Sequence, residues 1–494
     1  MTMENVDIGV TAHLRQGHLS NMVAGRDLDK AELDFVANKD QLTLKGTGLI
    51  GGIAATIDGT MNFRAGKPQD VVQRIAVTGK ATVRQLVAAG LDLSDYLSGE
   101  IPLSAVWSQQ RGGGGDIAVD ADLSGIAISI HSLALQKPAG AHLKASARLR
   151  LTGDRLNGID TIVADGTNAT VRGSADLAGG RLTMLRLDRL VLGRNDLSGT
   201  IRMPAGGPIA AVLSGASLDL ATKLAEKTPP RDRTKPEPPP GAAWTLTGRF
   251  GRVLLANDAS ALNVEVDASN DGSVFSRLRV VGSTQPAGAF SATIVGEKGA
   301  RRMTATAADA GALLRGLDMI HTMQGGTLSL NGTFNDSNAA HALSGTAEIT
   351  DFRIRNAPAF GRLLQSMTLY GLLDVLQGPG LAFARLEVPF VLSDEDLELK
   401  DARAFSPSLG MTARGHLNLS AETANLEGTV VPAYFFNSLL GKIPFFGGIF
   451  SSEVGGGLFA ARYTLRGPLA DPSVSVNPLT MLTPGFLRGM FGNF

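Results

Sequence analysis

The sequence predicts a mainly β protein of short, mostly antiparallel strands, and three observations carry that prediction. Apolar and polar residues alternate with period two over long stretches. Glycine is abundant, 60 of 494 residues, while aromatic residues make up only 5%; average glycine usage is ~7%. Turn dipeptides recur at intervals of roughly 8–12 residues, the spacing of an all-β array.

The clearest strand is MTARGHLNLS at residues 411–420. It sets Met411, Ala413, Gly415, Leu417 and Leu419 on one face and Thr412, Arg414, His416, Asn418 and Ser420 on the other. Leu386, Val388, Phe390 and Leu392 alternate in the same way. The run Ser393-Asp394-Glu395-Asp396 then turns the chain, and Leu397 and Leu399 resume the apolar face, so an antiparallel hairpin is expected. Asp58-Gly59, Asn157-Gly158, Asp165-Gly166, Asp271-Gly272 and Asn331-Gly332 mark further hairpin turns, because tight hairpins need positive φ.

Four short helices are expected between the strands. One is capped by Thr306, carries Ala310, Leu313, Leu314 and Leu317 at helical spacing, and ends at Gly325-Gly326. Another opens at Asn356 and Pro358 with a stripe of Phe360, Leu363, Leu364 and Met367. Residues 81–89 and 218–227 supply the other two. The segment TPPRDRTKPEPPPG at 228–241 cannot enter a sheet and reads as an extended linker or exposed loop. It separates a β-rich half over residues 1–227 from a second over 242–494.

Composition narrows the function. Lys plus Arg (46) equals Asp plus Glu (46), so no net field exists to hold a nucleic acid. Cysteine is absent, which removes disulfides, thiol catalysis and thiolate metal sites and suits an oxidising compartment. The first twenty residues show no charged segment followed by an apolar one, and no run of about 20 apolar residues occurs anywhere.

Motifs of chemistry fail on context. GTGLIG at residues 46–51 spells a dinucleotide fingerprint, yet the following residues continue as strand where a helix should begin. The seven histidines are scattered without zinc spacing. Asp394, Glu395 and Asp396 lack the spaced oxygens of a calcium loop. No nucleophile elbow or phosphate loop stands in a fitting place. A non-enzymatic protein without cofactor, metal or nucleotide is therefore expected.

The last third carries a resemblance. GTVVPAYFFNSLLGKIPFFGGIF begins at Gly428, GLFAARYTLRGPLADPSVSVNPL at Gly457, and TPGFLRGMF closes the chain. A Val-Val-Pro strand end, an aromatic helix, a Pro-Phe-Phe-Gly loop and a strand closing on Arg-Gly-Pro-Leu-Ala-Asp-Pro resemble the AsmA-like C-terminal region family. That family includes the TamB- and YhdP-type proteins of Gram-negative envelopes. The resemblance covers about residues 345–494 and implies a long twisted sheet folded lengthwise into an open apolar groove.

It also implies passage of phospholipids between inner and outer membranes, a periplasmic location, and an inner-membrane anchor upstream of this chain. Envelope proteins would receive the two ends. Leu386, Val388, Phe390, Leu392, Leu397, Leu399, Leu417 and Leu419 would line the groove. Tyr434, Phe435, Leu439, Leu440, Phe445, Phe446, Phe450, Phe486, Leu487 and Phe491 would cap the last strands or touch a membrane or partner. The alternatives are a structural or adhesive β-solenoid with a solid core, or a factor for outer-membrane protein assembly acting through a sheet edge. An outer-membrane barrel is disfavoured by four Tyr and two Trp, too few for aromatic girdles.

Overall fold

The computed structural model describes residues 9–23, 26–88, 97–130, 135–153, 155–226, 241–284, 288–297, 300–337, 340–366, 376–406, 409–432 and 461–477. The chain divides into two units, Met1–Asp219 with Trp244–Leu246, and Leu220–Ala243 with Thr247–Phe494. Both are mainly β, and each is built on an open antiparallel sheet that does not close into a barrel. The expected linker at 228–241 lies outside the described residues, apart from Gly241.

The first unit begins with β1 (Gly9–Val23), β2 (Arg26–Asn38), β3 (Gln41–Ile50), β4 (Ile53–Asn62) and β5 (Val71–Thr82), followed by α1 (Val83–Ala88). Next come β6 (Leu97–Ser98), β7 (Glu100–Gln110), β8 (Gly114–Asp122), β9 (Ala127–Ile130) and β10 (Leu135–Lys137). The unit ends with β11 (Leu143–Thr152), β12 (Arg155–Gly166), β13 (Ala169–Ala178), β14 (Arg181–Leu192), β15 (Asn195–Arg202) and β16 (Ile209–Asp219). Strands β6, β9 and β10 form a small separate sheet. Every other strand pairs antiparallel with the next in chain order.

Register places one face of this meander. Leu14, Leu33, Gly46, Ile57, Val77, Ala105, Val119, Ala147, Ile162, Gly173, Leu187, Gly199 and Leu213 are successive cross-strand partners from β1 to β16. Partners directly opposite project to the same side, so a single row crosses the unit without a polar residue. At the β1 end this face closes into a core around Leu28, Leu33, Leu44, Ile57, Ile75 and Trp107.

The second unit holds α2 (Ala221–Ala225), most of β17 (Trp244–Leu254), then β18 (Ser260–Asn270), β19 (Phe275–Thr284), β20 (Gly288–Glu297) and β21 (Ala300–Ala307). After α3 (Ala310–Gly316) come β22 (Met323–Phe334) and β23 (Leu343–Ile354), and after α4 (Pro358–Ser366) come β24 (Leu381–Ser393) and β25 (Asp396–Phe405). Strands β26 (Leu409–Asn418), β27 (Thr423–Pro432), β28 (Ala461–Pro468) and β29 (Ser473–Asn477) complete the described chain. From β18 onward each strand again pairs with its successor.

The four described helices meet the expectations with shifted limits. Asp309, not Thr306, caps α3, its carboxylate accepting from the Ala312 amide at 2.9 Å; Thr306 is committed to β21. The helix stops at Gly316, and Gly325-Gly326 lie inside β22 instead. Helix α4 opens on Pro358 as its fixed φ favours. Met367 lies outside the described residues.

Several expected turns prove to be strand interior. Asp58-Gly59 is in mid-β4, Asn157-Gly158 within β12 and Asn331-Gly332 within β22. Asp271-Gly272 does sit between two strands, and Asp165-Gly166 ends one. The misplaced glycines answer to packing rather than turning. Gly59 stands opposite Leu44, and a Cβ there would come within 2.8 Å of the Leu44 side chain.

Candidate functional site

The apolar face of the second unit is the candidate site. Ala268, Leu278, Ile294, Met303, Gly332, Gly345, Phe390, Leu399, Gly415, Leu426, Leu465 and Val474 are successive cross-strand partners from β18 to β29. Seven of the eight residues expected to line a groove belong to this face. Leu386, Val388, Phe390 and Leu392 alternate along β24; Leu392 opposes Leu397, and Leu397 opposes Leu417. Leu419 departs from it: β26 ends at Asn418, and Leu419 sits in the following turn, 44% exposed, its amide bonded to the Glu395 carbonyl at 2.7 Å.

Simple alternation would not have kept β25 on this face. Its sequence, Leu397-Glu-Leu-Lys-Asp-Ala-Arg-Ala404, changes parity between Leu399 and Ala402. A register shift at that point absorbs the change. Lys400 and Asp401 both turn outward, and Ala402 and Ala404 return to the buried side. A β-bulge is the usual device for re-aiming side chains in this way.

One end of the face is filled. Leu363 and Leu364 of α4 and Leu314 of α3 pack with Ile349, Phe352, Phe383, Ala404, Leu409 and Val430. The Phe352 and Phe383 rings stack at 5.2 Å, and Phe360 tilts against Phe383 at 6.2 Å. Helix α4 also reaches the far strands, since Arg362 donates to the Pro472 carbonyl at 3.0 Å and pairs with Asp471. Laid flat, β24 and β29 would be ~24 Å apart at ~4.8 Å per strand, about twice a helix's ~10–12 Å width. The sheet therefore curls around α4.

Toward the β24–β25 turn no described helix packs on the face. Phe390 is buried, but Val388, Leu392, Leu397, Leu399 and Leu417 remain only half-buried. Leu386 packs against the helical core instead. Sequence reasoning missed Leu426, Leu465 and Val474 on the same face. Alternation in Ala424-Asn-Leu-Glu-Gly-Thr-Val430 was the signal for the first of these.

The reverse face is wet and charge-paired. Arg385 meets Glu348 at 3.1 Å, Arg414 donates to Glu427 at 2.7 Å, and His416 contacts Asp396 at 2.9 Å. A shallow depression of about 430 Å³ on this side is walled by Glu398, Lys400, Arg414, His416, Glu427 and Arg466. Its charges of both signs already satisfy one another in part, so it presents no single-sign attraction for a ligand.

Gly46 and Gly48 of the nucleotide-like motif lie in β3, and Gly51-Gly52 turn straight into β4. Among the described residues, no His, Asp or Glu group is arranged to hold a metal ion, and no helix is long and apolar enough to cross a membrane. Tyr434, Phe435, Leu439, Leu440, Phe445, Phe446, Phe450, Phe486, Leu487 and Phe491 lie outside the described residues. No protein-family model matches the chain, and no curated protein matches it.

Proposed function

We propose that this chain is a non-enzymatic phospholipid-binding protein of the Gram-negative envelope, related to the AsmA-like family. Its aliphatic sheet face would conduct lipids between the inner and outer membranes from a periplasmic position. One observation carries the proposal. The face spans β18 to β29 without a polar partner in its central row, and its lining stays half-exposed where the helices stop.

Burial of acyl methylenes stabilises by about 0.8 kcal/mol each. Successive strands offer similar aliphatic surroundings, so no single position would trap the chain. Passive sliding follows from that evenness, with headgroups left in water. The helix-filled end supports a second reading, a structural body with a solid core, for the part of the face near α4.

Purification from a bacterial envelope in mild detergent, followed by native mass spectrometry, tests the proposal. Several phospholipids per chain are expected, and Leu417→Asp should lose most of them while its circular dichroism is unchanged. A lipid-free chain that also takes up no photo-crosslinkable phospholipid would leave the structural reading in place.

A further inference from the structure

In the first unit, the apolar face over β11 to β16 is partly open among the described residues: Leu151, Ala175 and Leu197 on it are buried, and the rows between them are less so. The extensive contacts of β12 to β15 are with their sheet neighbours alone, and Ile159, Ile162, Leu185, Leu187 and Ile201 are half-buried. None of them belongs to the core at the β1 end. The central row of the face, Ala147, Ile162, Gly173, Leu187, Gly199 and Leu213, carries no side chain that can hydrogen-bond, so an occupant of that row must be apolar.

One end of the same strands is basic. Arg155 begins β12, Arg181 begins β14 and Arg202 ends β15, all three exposed. Arg155 and Arg181 flank the end of β13, two strand spacings or about 10 Å apart. Among the described residues none of the three has an ion-pair or hydrogen-bonded side-chain partner. Neighbouring arginines are paired: Arg172 with Asp165 at 2.8 Å, Arg186 with Asp176 at 2.9 Å, and Arg194 with Asp219 at 2.7 Å. Arg148 also has no such partner among the described residues; like the other three it projects to the polar face, but it stands in mid-strand and not at a strand end.

We propose that this face is a second acyl-chain site whose arginine-fringed end selects phospholipids of net negative headgroup charge. The proposal rests on the lipid function above and adds a ligand class to it. From Leu182 to Leu192, β14 runs about 34 Å; an acyl chain in one leaflet spans about 15 Å, half the hydrocarbon core, so it fits along a strand. A guanidinium at a strand's terminal residue can swing around the sheet end on its flexible stem and grip a phosphate with two parallel donors. A zwitterionic headgroup would bring its own ammonium into the same positive fringe.

The test loads the full chain from vesicles of equal phosphatidylglycerol and phosphatidylethanolamine and reads bound lipid by native mass spectrometry. Phosphatidylglycerol should exceed phosphatidylethanolamine roughly tenfold, the sum of three exposed ion pairs. The triple change Arg155→Gln, Arg181→Gln and Arg202→Gln should return the ratio to that of the vesicle, and the corresponding Lys variant should keep most of the preference. Leu187→Asp should abolish the phosphatidylglycerol excess, whereas Leu417→Asp should not. A preference that is absent, or that survives the Gln triple, overturns the fringe and leaves lipid binding standing. A chain that takes up neither lipid overturns both. Leu187→Asp changing the mass of the assembly, with bound lipid unaltered, would assign the face to a second copy of the chain and also overturn the proposal.

Discussion

The hydroxyl of Tyr463 donates to the main-chain carbonyl of Thr412 at 2.8 Å, reaching from β28 over β27 to β26. Gly428, the cross-strand partner of Tyr463, makes the crossing possible. A Cβ there would sit 1.9 Å from the Thr412 oxygen and 2.8 Å from the hydroxyl. Tyr463→Phe should cost about 1 kcal/mol, and Gly428→Ala clearly more, as read by urea denaturation. Burial pushes the Tyr463 hydroxyl up from its ordinary value. A group raised in this way gives its full contribution below about pH 10 and loses it as pH climbs toward the folded value. The wild type should therefore lose more stability in alkali than Tyr463→Phe does.

Two residues of the candidate face should respond differently to truncation. Phe390 is 6% exposed, so Phe390→Ala should cost about 3–5 kcal/mol. Leu417 is half-buried, and Leu417→Ala should cost only about 1 kcal/mol while still reducing lipid uptake. Equal losses of stability would mean that the face is covered throughout.

Acid should loosen the β21–β23 end of the second unit. Arg301, nearly buried, forms two bonds to Asp336 at 2.9 and 2.6 Å, and His341 adds a third at 3.0 Å. These bonds, the arginine's first, hold the Asp336 carboxyl below its usual range despite partial burial. The unfolded chain then binds a proton that the folded chain resists, so stability is complete above about pH 4 and falls as pH drops through the folded value. Asp336→Asn should lower the melting temperature at pH 7 and flatten its dependence on acid. An unchanged acid slope would remove Asp336 as the source.

Deletion of Lys400 should be more damaging than Lys400→Ala. The side chain is exposed, but its backbone supplies the extra residue that keeps Leu397 and Leu399 on the same face as Ala402 and Ala404. Substitution should move stability by less than about 0.5 kcal/mol. Removal should turn one half of β25 over and abolish cooperative unfolding in calorimetry.

Period-two alternation made the strands and most of the candidate lining legible, because side-chain direction in a strand depends on parity alone. Leu386 to Leu399 were placed this way, and register confirms their common side. Leu419 was misplaced because alternation continues past Asn418 while the backbone has already entered a turn. The glycines misled for a related reason: Gly59 and Gly332 serve large neighbours on adjacent strands, which a linear sequence does not display. The face over β11 to β16 was equally readable by parity, but its bulges at Asp160-Thr161 and Asp188-Arg189 interrupt the alternation. How far it is covered is a tertiary fact.

Because the long sheets pair almost only neighbours in the chain, each is a meander extensible in units. Inserting or deleting a whole hairpin would change sheet length by about 10 Å without re-routing any other strand. Gene-level duplication or loss of a hairpin would thus lengthen or shorten such a sheet while leaving the surviving rows in phase.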